Sequence, residues 1–263
     1  MEHEADWQRI HTLLDLVSKK IVLPLFVDKN SPKFVGSAFL VRGENYRYVV
    51  TARHVIDEIP EELKPSLFCF VDKNAGAPIG GFHLRTSDVG LHTGGLDISV
   101  IRLDPATPEW KGDLVRDFLS LDQLNPESSG FEARLFAVPG FPASKMHIRN
   151  ATDSVLKPYS IGGQSAALET YQALSLTPLT HIVMDFDQKK SYEYLNDAGT
   201  HRPPNPRGMS GSPVLDLWVD ENGEAACLIV GVAIEHHKTK NAIVCTRIGT
   251  VLDMIARLEV GYQ

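Results

Sequence analysis

Between residues 5 and 20 the apolar side chains of Trp7, Ile10, Leu13, Leu14 and Val17 recur at intervals of three and four. That period collects them on one face and predicts an amphipathic helix docked against the body of the protein. From Lys20 onward the texture changes to short runs rich in β-branched and aromatic residues, separated by turn-forming residues. Strands are predicted at 21–27, 34–42, 46–51, 67–71, 80–85, 97–103, 132–138, 180–186, 213–219, 226–234 and 242–247. Gly43-Glu44-Asn45 and Glu221-Asn222-Gly223 each sit between two such runs and read as tight hairpin turns. A succession of hairpins predicts a mainly β fold of antiparallel barrels. The tail 249–259, with Val251, Leu252, Ile255 and Leu258, returns to helical spacing and predicts a closing helix.

The segment 104–130 carries Pro105, Pro108, Pro126 and Gly130 with little strand periodicity, which marks it as the connection between two halves. The expected plan is one domain over 1–263: an N-terminal helix at 1–19, a first barrel at 20–110, a second at 125–248 and a C-terminal helix at 249–259. Residues 139–180 and 187–207 read as long polar loops that shape substrate access. Gly80-Gly81 and Gly162-Gly163 read as turns.

Composition narrows the function classes. With 263 residues, 43% hydrophobic and 22% charged, the chain can bury a sizeable core and matches neither a disordered nor a membrane protein. Its net charge of −7 offers no basic field for nucleic acid or anionic lipid, so neither is expected as a partner. The acidic start Met1-Glu2-His3-Glu4 lacks the order of a secretion signal, and no run of about 18 apolar residues suggests a span. A soluble, cytoplasmic protein is expected. Cys69, Cys227 and Cys245 are too few and too scattered for a disulfide framework or a zinc site, and read as buried thiols.

Three short segments carry chemistry. Ser210 lies between Gly208 and Gly211, where small residues permit a sharp turn able to aim the Gly208 and Ser210 amides at one point, an oxyanion hole. The same residues also fit a plain turn before a strand. His54 follows the run Val49-Val50-Thr51-Ala52, which leaves its imidazole at a strand's rim; one of ten histidines, it could alone be structural. Asp97 opens the β-branched run Ile98-Ser99-Val100-Ile101, and a carboxylate at the mouth of a buried strand needs a partner, which an imidazole N–H supplies. Base, orienter and nucleophile are then present together, since a serine hydroxyl attacks only when an oriented imidazole takes its proton.

In these segments, Thr51-Ala52-Arg53-His54, Asp97-Ile98-Ser99-Val100 and Gly208-Met209-Ser210-Gly211-Ser212-Pro213, the chain resembles the trypsin-like (chymotrypsin-fold) serine peptidases, of the intracellular bacterial type. The spacings of 43 and 113 residues match that order too. The resemblance covers roughly 20–250. It implies His54 as general base, Asp97 as its orienter, Ser210 as nucleophile, and a double antiparallel β-barrel with the catalytic cleft between the two barrels. Met209 stands where secreted trypsins carry an aspartate paired by a new N-terminus, so that activation switch is absent and the site is either constitutively formed or gated by a partner protein or the long loops. Ser212 replaces a glycine and leaves a second hydroxyl nearby. By the same resemblance Pro204 lines the floor of the primary specificity pocket and Val232, Ala233 and Ile234 its wall, which implies small or apolar substrate side chains; Arg207 and His236 keep an acidic preference open.

Gly208-x-Ser210-x-Ser212 also resembles the nucleophile elbow of α/β-hydrolases, but that motif needs a strand before it and a helix after it, whereas three prolines precede and a β-type run follows. No HExxH, phosphate-binding glycine loop or dinucleotide fingerprint occurs, and the histidines lack metal-ligand spacing, so no metal or cofactor is expected. Lys189-Lys190 and Lys238 with Lys240 read as solvated charge. The expected function is a serine endopeptidase acting on protein or peptide substrates. The alternative is a silent or latent protease-fold interaction module that needs a partner.

Overall fold

The structure is a computed structural model that describes residues 2–70, 76–90, 95–107, 117–126, 135–146, 157–187 and 203–261. Helix α1 (Glu2–Ile21) leads into a first sheet made of β1 (Val22–Val27), β2 (Lys33–Arg42), β3 (Arg47–Ala52), β4 (Phe68–Phe70), β5 (Gly76–Pro78), β6 (Gly81–Arg85), β7 (Ile98–Leu103) and β8 (Leu119–Ser120). A second sheet holds β9 (Leu135–Gly140), β10 (Tyr159–Gln164), β11 (His181–Asp185), β12 (Pro213–Val219), β13 (Ala225–His237) and β14 (Ala242–Arg247). Three further helices, α2 (Arg53–Asp57), α3 (Leu168–Ala173) and α4 (Ile248–Glu259), lie between or after the strands.

The first sheet runs β5-β4-β1-β2-β3-β7-β6, with β8 pairing β2 in parallel; the second runs β10-β9-β12-β13-β14-β11. Apart from an isolated parallel bridge between Leu124 and Ile229, the other pairings among the described residues are antiparallel, and the two turns singled out by their glycine and asparagine join β2 to β3 and β12 to β13. Both sheets curl, as expected of a double β-barrel. In the second, a bridge between Ser165 and Met184 brings the β10 end to β11.

One continuous core joins the halves, running from Leu23, Phe39 and Val49 of the first sheet to Leu215 and Val232 of the second. Residues Val251, Ile255 and Leu258 of α4 seal it, while Ile10 and Leu14 of α1 enter it from the other end of the chain. Trp7 of the predicted stripe stays 40% exposed, so the docking face of α1 begins one turn later.

The expected loop 139–180 is corrected: it contains β10 and α3, although 147–156 lie outside the described residues. Tyr159-Ser160-Ile161-Gly162-Gly163-Gln164 lacks the polar–apolar alternation that announces a strand, and its glycines belong to the strand and not to a turn. A Cβ on Gly163 would lie 2.1 Å from the Asp185 carbonyl oxygen, so the glycine permits the close approach of β11. Short β5 and β8 were also invisible to pattern. The connecting segment returns to the first sheet through β8 before the chain enters the second. Lys189-Lys190, most of the 187–207 segment and residues 132–134 lie outside the described residues.

The three cysteines are free thiols; burial pushes the Cys227 thiol up to about 11 and raises that of Cys245 further. Among the described residues no helix is long and apolar enough to cross a membrane.

Candidate functional site

Strand β3 ends at Ala52 and the chain turns directly into α2, whose first turn carries His54. Asp97, at the entrance to the neighbouring strand β7, satisfies the amides of that turn. Its carbonyl accepts from the Arg53 amide at 3.0 Å and its Oδ1 from the His54 amide at 3.1 Å. Its Oδ2 accepts from His54 Nδ1. A carboxylate only accepts, so Nδ1 carries the proton and Nε2 presents a lone pair. The hydrogen bond to Asp97 holds the His54 pKa above its usual value of 6.5, against the opposing effect of burial. Asp97 side-chain exposure is only 17%, which keeps water from competing for that bond. Arg53 Nε lies 3.4 Å from Asp97 Oδ1 and 3.5 Å from Asp57 Oδ2, within ion-pair distance of both without an aimed hydrogen bond. Sequence reading assigned Arg53 no role.

The segment from Arg207 to Ser210 is held by its carbonyls. Arg207 O accepts from the Ala143 amide (2.7 Å), Gly208 O from Ser37 Oγ (2.9 Å), Met209 O from the Ser212 amide (3.0 Å) and Ser210 O from the Ser37 amide (3.0 Å). The Met209 amide is engaged by Pro206 O at 2.8 Å. Among the described residues the Gly208 and Ser210 amides have no protein acceptor, and both residues face the same cavity. This turn requires glycine twice. Gly208 has φ +93°, and a Cβ there would lie 2.6 Å from the Phe34 ring; Gly211 has φ +89°, with a Cβ 2.1 Å from Ser37 O.

Ser37, buried on β2, was missed by sequence reading. Its amide and hydroxyl grip the 207–211 turn, its Oγ accepts from the Phe141 amide (3.0 Å), and its carbonyl accepts from Thr51 Oγ1 (2.8 Å). One residue thus ties the turn that carries Ser210 to β3, the strand that leads into His54. Met209 is 2% exposed and packs into the apolar core of the second sheet, against Gly140.

His54 and Ser210 line one cavity of about 1010 Å³. Among the described residues no hydrogen bond joins them; the Ser210 hydroxyl donates to Ile234 O at 3.4 Å. Ile234 is the bulged residue of β13, where the register to β14 skips from Ala233 to Glu235, and the bulge re-aims its carbonyl. Of the expected specificity residues, Arg207 lines the cavity, whereas Pro204, Val232, Ala233 and Ile234 are buried and do not. His236 packs edge-on to Phe186 at 5.5 Å between ring centres. Ser212 is fully buried, its hydroxyl has no hydrogen-bond partner among the described residues, and it does not line the cavity. Among the described residues no group of three His, Cys, Asp or Glu side chains is arranged to hold a metal ion. Comparison with protein-family models and with curated proteins finds no match to this chain.

Proposed function

We propose that this protein is a serine endopeptidase that cleaves peptide bonds through an acyl-enzyme on Ser210. The observation that carries this reading is the Asp97-oriented His54 sharing a cavity with Ser210 beneath two unengaged amides. A rotation about the Ser210 side chain, away from Ile234 O, turns the hydroxyl toward Nε2; such bonds are commonly loose before substrate binds. His54 Nε2 takes the hydroxyl proton as Oγ attacks the carbonyl carbon, and the Gly208 and Ser210 amides receive the oxyanion. The imidazolium, steadied by Asp97, then protonates the leaving amine as the C–N bond breaks. Water repeats the sequence to free the acid. These groups complete the reaction without a cofactor, and the free thiols support a reducing, cytoplasmic setting.

A second reading, a latent or silent protease-fold interaction module awaiting a partner, is favoured by one observation, the hydroxyl engaged with Ile234 instead of His54. A fluorophosphonate probe separates the two. Mass-spectrometric uptake at Ser210 that disappears in Ser210→Ala and in His54→Ala supports the enzyme. No uptake in the purified protein supports the module.

A further inference from the structure

The cavity is lopsided about the reacting groups. From Ser210 and His54 it extends along α2 and the segment after it, through Val55, Ile59 and Leu63, and across to Val27, Phe34 and Val35 on β1 and β2. None of its lining comes from β13. Yet β13 offers an open edge beyond Ala233: the Ala233 amide and carbonyl are taken by Ser212 O and the Gly211 amide, whereas among the described residues Glu235, His236 and His237 pair only with β14. Two different surfaces therefore meet at the hydroxyl.

Proton delivery decides which half of a substrate each surface takes. The leaving nitrogen must lie beside the His54 imidazole, so the chain attached to it continues into the space around and beyond His54. The acyl half runs the other way, where the β13 edge can pair with it as an added strand. We infer that the cavity is the site for the leaving-group half, and that it selects a bulky apolar side chain, of the Leu or Phe class, in the first two residues after the scissile bond. This rests on the hydrolase reading above. The volume, about 1010 Å³, exceeds one side chain and sits at the upper end for bound small ligands. Its lining is divided: Val27, Phe34, Val35, Val55, Ile59 and Leu63 gather on the β1, β2 and α2 side, while polar residues line the side of the Ser210 turn. The exposed cations Lys33 and Arg207 outnumber the one anion, Glu58, which favours an acidic residue further along the leaving chain.

Acyl-enzyme partitioning tests this without knowing a natural substrate. Ser210 is acetylated by p-nitrophenyl acetate, and amino-acid amides compete with water for the ester. In capture the amine forms the new C–N bond and passes its proton to His54. His54 returns it to Oγ as the C–O bond breaks, so Ser210 is regenerated. Leucinamide or phenylalaninamide should capture the acyl group at least about tenfold better than glycinamide, the scale on which a filled apolar pocket discriminates. Because each ratio is normalised to the acyl-enzyme formed, Leu63→Asp should lower it toward one whatever its effect on acylation, and Lys33→Glu should reverse the preference between aspartyl and lysyl dipeptide amides. A wild-type leucinamide-to-glycinamide ratio near one, in protein whose Ser210 takes up fluorophosphonate, overturns this inference alone. Absence of fluorophosphonate uptake overturns the hydrolase reading and this site with it.

Discussion

Removing one hydroxyl on β2 should cripple chemistry 171 residues away. In Ser37→Ala the Gly208 carbonyl loses its donor and the Phe141 amide its acceptor. A partly buried carbonyl without a partner costs about 1–3 kcal/mol, and it recovers that cost by swinging toward the open cavity, where solvent can hydrogen-bond it. The swing carries the Gly208 amide away from the oxyanion position. The second tether, Arg207 O to the Ala143 amide, persists, so the turn shifts its equilibrium by that 1–3 kcal/mol and does not collapse outright. The expected loss in kcat is about ten- to a hundredfold, below the roughly 10²–10³ of a donor removed entirely, with KM changed little because the amide acts on the transition state. Ester burst kinetics and the fluorophosphonate labelling rate measure this under conditions where circular dichroism shows the variant folded. An unchanged kcat with a lowered unfolding midpoint would refute the positioning role and leave Ser37 as packing only.

Because Asp97 raises the His54 pKa and only neutral imidazole accepts a proton, activity should fall as pH drops through a value above 6.5. Asp97→Asn should move that limb to lower pH and cut kcat by about 10⁴, read from a pH–rate profile. The stability linkage has its own sign: a folded pKa above the unfolded one makes the pair's contribution complete below pH 6.5 and lost as pH rises through the folded value, measurable by urea unfolding across that window. Met209→Ala should destabilise by about 2–5 kcal/mol through the cavity it leaves, and Met209→Asp should abolish labelling at Ser210 by drawing the nucleophile turn out of the apolar core. Glu259 at the end of α4 accepts from Tyr48 Oη (2.8 Å) and from the Asn45 amide and side chain (3.0 and 2.9 Å), so Glu259→Ala should lower stability by about 1–3 kcal/mol in thermal unfolding with kcat unaltered.

Apolar β-branched runs and turn chemistry made most of the fold legible. Strands buried along nearly their whole length, such as Arg47–Ala52 and Ile98–Leu103, and hairpins closed by glycine and asparagine follow from local rules that act over a few residues. What escaped is what local rules do not encode. Tyr159–Gln164 forms a strand because Phe136 to Gly140 and the Asp185 carbonyl come close enough to demand glycines, a tertiary requirement with no periodic signature. Gly76–Pro78 and Leu119–Ser120 are short edge pairings whose partners, at Phe68–Phe70 and Val41–Arg42, are fixed by register alone.

The candidate site divides the same way. His54, Asp97 and Ser210 were legible because each is a reactive type set in a distinctive neighbourhood, and the neighbourhood is read from adjacent residues. Ser37 and the cavity-lining Phe34, Val35, Ile59 and Leu63 carry no such mark; serine on a strand and leucine near a helix are ordinary. Their importance arises only when β2 folds beneath the nucleophile turn, bringing Ser37 to Gly208 across 171 residues and to Phe141 across 104. A turn built on two left-handed glycines, Gly208 and Gly211, has little intrinsic preference for one conformation, so its shape must be imposed from outside. Here that is done by neutral means, four hydrogen-bonded carbonyls and the buried Met209 thioether, none of which needs a charge to be created. A turn held in this way is formed as soon as the two sheets meet. Any control over the proposed activity must then act on the Ser210 rotamer or on access to the cavity, and not on assembly of the two amides.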